Sequence, residues 1–267
     1  MKIHLLIAIS LFSHAATADN RIPKSVLSKK FKIYIDSKAT ENKGYGNWNP
    51  YEDGELLMIK NFIKAGDFVI DAGAHFGEWS DLVLKHTNNQ CHLYSFEPVP
   101  TFFEKLTRAL KGNAHCFNYA LANIETETLM NYYYVESEGC SSIYDRVVLS
   151  SIPVKKITVP VTYLDKFCQD NHIEHIHFLK IDTEGSEWNV LQGANKLITN
   201  GQIDTIQFEY GGTYPDANIT LHQVYTYLTA KNYSIFRLTE DGLVYIPQWR
   251  DALENSHLSN YLAVLNA

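Results

Sequence analysis

Long apolar runs are nearly absent from this sequence. One stands near the N-terminus, Ile3 to Phe12, too short to cross a bilayer comfortably, and no other segment is apolar enough to try. The four cysteines, Cys91, Cys116, Cys140 and Cys168, form no CxxC pair and none of the paired Cys–His spacings of a zinc finger. Cys91 and Cys116 fall in segments that read as neighbouring strands, so a disulfide is open to an exported chain. Their apolar flanks fit buried thiols better. Runs of like charge, low-complexity stretches and internal repeats are also missing. A net charge of −7 and a pI near 5.9 supply no basic face for a phosphate backbone, so a nucleic acid is not expected as partner.

What the N-terminus does have is an ordered pattern. Lys2 precedes the apolar run, and Ala16-Thr17-Ala18 closes it with small residues. That is the layout of a secretory signal peptide cleaved after Ala18, which implies export or residence in the secretory pathway. A cytoplasmic chain is the alternative. Left uncleaved, the segment would serve as a membrane anchor. Residues 1–18 are therefore read as a signal peptide and 19–45 as a polar lead-in. Residues 46–267 contain no linker and are read as one domain, a length ample for a single α/β core.

Within that domain strand-like and helix-like segments alternate, the signature of a doubly wound sheet. "DGELLMIKNFIKAG" reads as a helix, Asp67 to Asp71 as a strand and "EWSDLVLKH" as a helix. "CHLYSFEP", "TFFEKLTRALKGN" and "HCFNYAL" continue as strand, helix, strand. "TLMNYYYV" and "KKITVPVTYL" look like an antiparallel pair around the loop "ESEGCSSIYD". After them "IHFLKID", "SEWNVLQGANKLIT", "DTIQFEY", "ITLHQVYTYLTAKN" and "YSIFRL" restore the alternation, and "NYLAVLN" could close the sheet.

Ligands of such sheets bind beyond the carboxyl ends of the strands. The first strand ends in Asp71-Ala72-Gly73-Ala74-His75-Phe76-Gly77, where glycines let a ligand approach the backbone and the next helix offers unpaired N–H groups. The second ends in Glu97-Pro98, and a carboxylate there is placed to accept ribose hydroxyls. Two later strands end in Asp182-Thr183-Glu184 and Glu209. Four adjacent tips thus carry acids. A pyrophosphate cofactor would be repelled, whereas a cationic sulfonium would be attracted. The glycine turn reads DxGxxxG and lacks the GxGxxG of dinucleotide binders. The residues therefore point to S-adenosylmethionine as cofactor.

In this order, "VIDAGAHFGEWS", "SFEPVP", "VTYLDKF" and "FLKIDTEGSEWNVLQGA" resemble the FkbM family of S-adenosylmethionine-dependent methyltransferases, from about residue 50 to the C-terminus. The resemblance implies a Rossmann-like class I methyltransferase fold, with a mostly parallel seven-stranded sheet and helices on both faces. It implies methylation of a hydroxyl on a small-molecule or glycan acceptor. Asp71, Ala72, Gly73 and Gly77 would then surround the methionine part of the cofactor, and Glu97 with Pro98 the ribose. Ala120 and Leu121 would lie near the adenine, and Asp182 near the sulfonium. Ser141 and Ser142 would sit in a loop over the site.

Transfer to a hydroxyl needs a base within reach of its proton. Glu184, Asp182, Glu209 and His75 are the candidates; Glu184 stands first because it lies just past a strand tip. Asp71 and Asp182 could instead cap the helices that follow. His172, His175 and His177 straddle a helix end and a strand start without metal-ligand spacing, so no metal is expected. Two rivals stay open, a nicotinamide-dependent oxidoreductase and a non-catalytic exported binding module that keeps the fold.

Overall fold

Side chains alternate faces along a strand, and in the central strands that alternation sorts apolar residues into two layers. A computed structural model describes residues 22–45, 49, 52–134 and 138–266; the expected signal peptide lies outside them. The strands are β1 (Lys32–Ile35), β2 (Phe68–Ala72), β3 (His92–Phe96), β4 (His115–Phe117), β5 (Ala120–Ala122) and β6 (Thr126–Tyr133). They continue as β7 (Val154–Tyr163), β8 (Ile176–Ile181), β9 (Ile203–Tyr210), β10 (Tyr233–Thr239), β11 (Gly242–Tyr245) and β12 (Ser259–Leu265). The helices are α1 (Lys24–Leu27), α2 (Glu55–Phe62), α3 (Glu78–Thr87), α4 (Pro100–Leu110), α5 (Leu164–Asp170), α6 (Glu187–Gly193), α7 (Asn195–Thr199), α8 (Thr213–Asp216) and α9 (Leu221–Ala230).

The main sheet runs β4-β3-β2-β8-β9-β12-β10-β11-β1. The first five strands are parallel, and β12 lies antiparallel between β9 and β10. The sheet therefore has nine strands where seven were expected. The two additions lie at one edge: β11 folds back on β10 as a hairpin, and β1, from the lead-in, pairs with β11. Val69 and Phe178 face a layer containing Met58 and Ile59 of α2, Trp79 and Val83 of α3 and Leu106 of α4. Ile70 and Leu179 point the other way, onto Leu164 of α5, Val190 and Leu191 of α6, Ile198 of α7 and Val224 of α9. This is a doubly wound class I methyltransferase architecture.

Two elements differ from the sequence reading for local reasons. The segment "HCFNYAL" splits, because the Asn118 side chain donates to the Glu97 and Pro98 carbonyls, where the chain leaves the edge of the sheet. Its second half becomes β5, which joins β7 and β6 in a separate small sheet. The antiparallel pairing of β6 with β7 runs from Thr126↔Val161 to Tyr133↔Val154, as expected for that pair. The helix after "KIDTEG" breaks at Ala194, because the Asp165 carboxylate accepts from the Lys196 and Leu197 amides and starts α7 afresh.

Gly193 ends α6 against β5, and a Cβ built there would lie 1.8 Å from the Ala122 carbonyl oxygen. Alanine would gain roughly 1 kcal/mol of helix propensity but force apart two backbones, and overpacking costs about 1–3 kcal/mol. Gly193→Ala is thus expected to lower the unfolding midpoint in a thermal melt.

Candidate active site

The tips of β2 and β8 approach so closely that only glycine fits between them. Gly73 has φ +87°, and a Cβ there would lie 1.8 Å from the Asp182 carbonyl oxygen. Its amide and that of Ala74 donate to the Phe96 carbonyl at 3.0 and 2.8 Å, while the Asp182 amide donates to Ala72 at 2.9 Å. The three strand ends are thereby pinned around the mouth of a cavity of about 510 Å³.

One wall of that cavity belongs to Glu97. Its carboxylate is buried and accepts from the His75 amide at 2.9 Å and the Val99 amide at 2.8 Å, leaving lone pairs free on both oxygens. Burial pushes its carboxyl up to about 7, against the pull of those two amides. Pro98, Phe102, Ala120 and Leu121 complete this side.

The opposite wall is acidic: Asp53, Glu55, Asp182, Glu184 and Glu209 all line it. Burial, reinforced by neighbouring carboxylates, raises Asp53 to about 6, Glu55 to about 8 and Glu184 to about 8, and pushes Glu209 well above its ordinary range. Two cations stand behind the wall. Lys180 donates to Asp182 at 3.0 Å. Arg146 pairs with Glu184, and its Nε lies 3.4 Å from Asp216. Glu209 has no hydrogen-bond or ion-pair partner among the described residues.

The expected site residues divide into two groups. Gly73, His75, Glu97, Pro98, Ala120, Leu121, Asp182, Glu184 and Glu209 meet at the cavity, as does Ser141. Asp71, Ala72, Gly77 and Ser142 do not line it. Asp71 is buried beneath, accepting from Ser80 at 2.7 Å. Ala72 is core. Gly77, with φ +90°, starts α3 where a Cβ would press on Leu106. Ser142 supports the site from behind, donating to the Glu184 carbonyl at 2.6 Å. His75 belongs to the Glu97 side, its ring stacked on Phe76 and edge-on to Phe102.

Among the described residues, two carboxylate and histidine groupings have a spacing that would suit a metal. In the first, Asp182, Glu184 and Glu209, two of the three acids already have a built-in cation. The second, His175, His177 and Asp204, lies at the other end of β8. There Nδ1 of His177 accepts from the Phe68 amide at 3.0 Å, which places the ring proton on Nε2 and leaves that side chain no free lone pair. We assign no metal to either.

Residues 71–235, more than half of the chain, match the domain family described as "Methyltransferase FkbM domain". The chain belongs to the FkbM methyltransferase family. Methyltransferase sdnD of Sordaria araneosa is 25% identical over 197 residues, which is 60% of this chain and 73% of that one. Methyltransferase 1 of Beauveria bassiana is 25% identical over 147 residues, 48% of this chain and 58% of its own. Among solved structures, the FkbM methyltransferase of Methylobacillus flagellatus superposes with a TM-score of 0.50 at 14% identity. It covers 75% of this chain, which in turn spans less than half of that longer protein, 44%. That likeness concerns the fold.

Sequence reasoning about this FkbM methyltransferase missed Asp53, Lys180, Arg146 and Asn260, and gave no role to Glu55, the acid of "DGELLMIKNFIKAG" that also fits the family resemblance. Lys180 sits inside the quoted "KIDTEG" block, so attention to a charge within an apolar strand would have found it. Asp53 and Asn260 line the cavity from a loop and from β12, and Arg146 stands behind its wall on another loop; chain crossovers bring all three there.

The raised acids carry a stability consequence. An unfolded glutamate titrates near 4.5 and Glu55 in the folded protein near 8, so the folded state holds a proton that the unfolded state releases. Its stabilising contribution is complete below about pH 4.5 and is lost as pH rises toward 8. The denaturant midpoint of the ligand-free protein should fall between pH 5 and pH 8. Glu55→Gln, which cannot ionise, should make that fall shallower.

Proposed function

We propose that this methyltransferase uses S-adenosylmethionine and transfers its methyl group to a hydroxyl of a small-molecule or glycan acceptor. The observation that carries the reading is one cavity with a buried ribose-type carboxylate, Glu97, on one wall and an acidic wall on the other. The residues fit that cofactor: the missing Cβ at Gly73 leaves backbone exposed to a ligand, and Glu97 keeps free acceptor lone pairs. When bound, S-adenosylmethionine would supply an electrophilic methyl group on a positively charged sulfur. The acidic wall would favour that charge electrostatically.

For the base, the surroundings favour Glu209 over Glu184 and Asp182, whose carboxylates are held by Arg146 and Lys180. Glu209 is partly buried and has no hydrogen-bond or ion-pair partner among the described residues. A nearby cation would lower its raised carboxyl toward the ionised form, which then could take the hydroxyl proton. His75 is less well placed, because it lies beside Glu97. A nicotinamide cofactor fits poorly, since its pyrophosphate would meet this wall of acids.

The test is a calorimetric titration of the protein with S-adenosylmethionine, beside NAD and a Glu97→Ala variant. Binding of the first ligand alone is expected. Loss of hydrogen bonds to a charged group, roughly 1.5–3 kcal/mol, should weaken the variant by about 10- to 100-fold. A well-folded protein that ignores S-adenosylmethionine would leave a binding module as the better reading.

We also propose that the chain is exported and loses residues 1–18. N-terminal sequencing of secreted protein is then expected to begin at Asp19; cytosolic protein that begins at Met1 would contradict it.

A further inference from the structure

A lysine with almost no solvent exposure stands one residue below the strand tips. Lys180 is aligned with Asp71 on β2 and with Gln207 on β9, and Asp71 in turn with Ser95 on β3. These positions share a face of the sheet, the one covered by α2 and α3, so a polar row crosses the core beneath the cavity. Ser80 of α3 joins it, donating to Asp71 at 2.7 Å and touching Ser95 at 2.8 Å. Glu55 of α2 joins from the other end, accepting from Gln207.

Lys180 does not line the cavity, but Asp182 does. The ammonium lies 3.0 Å from Asp182 and 3.9 Å from Asp71. It also faces the Trp79 ring on α3, 5.8 Å away, and interacts at longer range with Asp53, Glu55 and Glu209. These are the charged groups around it on every packed element. A buried charge with only one acid nearby would be costly to keep. Here one cation serves several acids, and the acid it holds most closely is one that lines the cavity.

We propose that Lys180 is a positioning residue for methyl transfer: it fixes the Asp182 carboxylate at the cavity wall, where that carboxylate faces a sulfonium. The proposal rests on the S-adenosylmethionine reading above. Burial opposes the lysine's own charge, but Asp182, Asp71 and Glu55 outweigh that and hold it protonated. Lys180 is the cation that draws the raised acids around it, Glu55, Asp71 and Glu209, back toward their ionised forms, so without it their protons would be harder to expel when a cationic ligand binds. Neutral S-adenosylhomocysteine, which has no sulfonium, makes much less demand on that charge.

The experiment measures the affinities of S-adenosylmethionine and S-adenosylhomocysteine from pH 6 to 9, for the wild type, Lys180→Met and Lys180→Arg. In Lys180→Met the pH midpoint for S-adenosylmethionine should move up by about one unit, an order-of-magnitude expectation for losing a close ion pair. Its preference over S-adenosylhomocysteine near pH 7 should then shrink by about tenfold. Lys180→Arg should restore most of both. A lysine with a purely structural role would lower the melting temperature and leave the midpoint and the preference unchanged, which would overturn the proposal.

If Lys180→Met does not fold, Lys180→Met with Asp71→Asn removes a cation and an acid together, while Asp182 still lacks its partner. That double variant must show the shifted midpoint, and a wild-type profile would overturn the proposal equally. A wild type that binds no S-adenosylmethionine overturns both the cofactor reading and this inference. Normal wild-type binding with unshifted variants overturns only the role of Lys180.

Discussion

Lys180 has its charge where water scarcely reaches, and the arrangement of the strand tips follows from how that charge is met. Asp71 and Asp182 flank it from adjacent and successive positions of the sheet. Ser80 and Ser95 in turn satisfy Asp71, and Gln207 links the row to Glu55. Removing any one charge would strand the others in a medium that penalises unpaired ions by several kcal/mol. The central strands are therefore tied by electrostatics at the level just below the cavity, and by aliphatic packing further down.

The same arrangement explains why so many acids gather at one edge without counter-ions in equal number. Glu187 is an instructive contrast. The sequence suggests only a first-turn acid favoured by a helix dipole. In the structure it is buried and accepts from the Thr183 and Gly185 amides, thus shaping the turn that presents Asp182 and Glu184. Its lone pairs are committed to the fold. Those of Glu209 and part of Glu97 have no such partner among the described residues and face the cavity.

The loop between β6 and β7 supplies the roof. Asn131 and Ser142 exchange backbone hydrogen bonds at 2.7 and 3.1 Å, and the Asn131 side chain donates to the Tyr144 carbonyl. Arg146 then ties the loop to Glu184 on one side and Asp216 on the other. The small sheet is thereby a support that brings loop residues over the mouth of the cavity. A family resemblance that points to the serines does not reveal this use of the arginine.

Much of the protein was legible from local chemistry. Apolar periodicity located the helices and strands, and glycines at a strand end marked the turn. Acids at successive strand tips marked the edge of the sheet where the cavity lies. These are properties of neighbouring residues, and neighbours are adjacent in any fold the chain adopts. Tertiary structure decided what depends on distant segments meeting. Pairing of β1 with β11 added strands to the sheet, and Asn118 divided one expected strand. Lys180 became the centre of a charge network only when β2, β8, α2 and α3 enclosed it. Whether a carboxylate is free or committed is decided by partners far along the chain, which is why the sequence named the acids at the strand tips but neither Asp53 nor the division of labour among them.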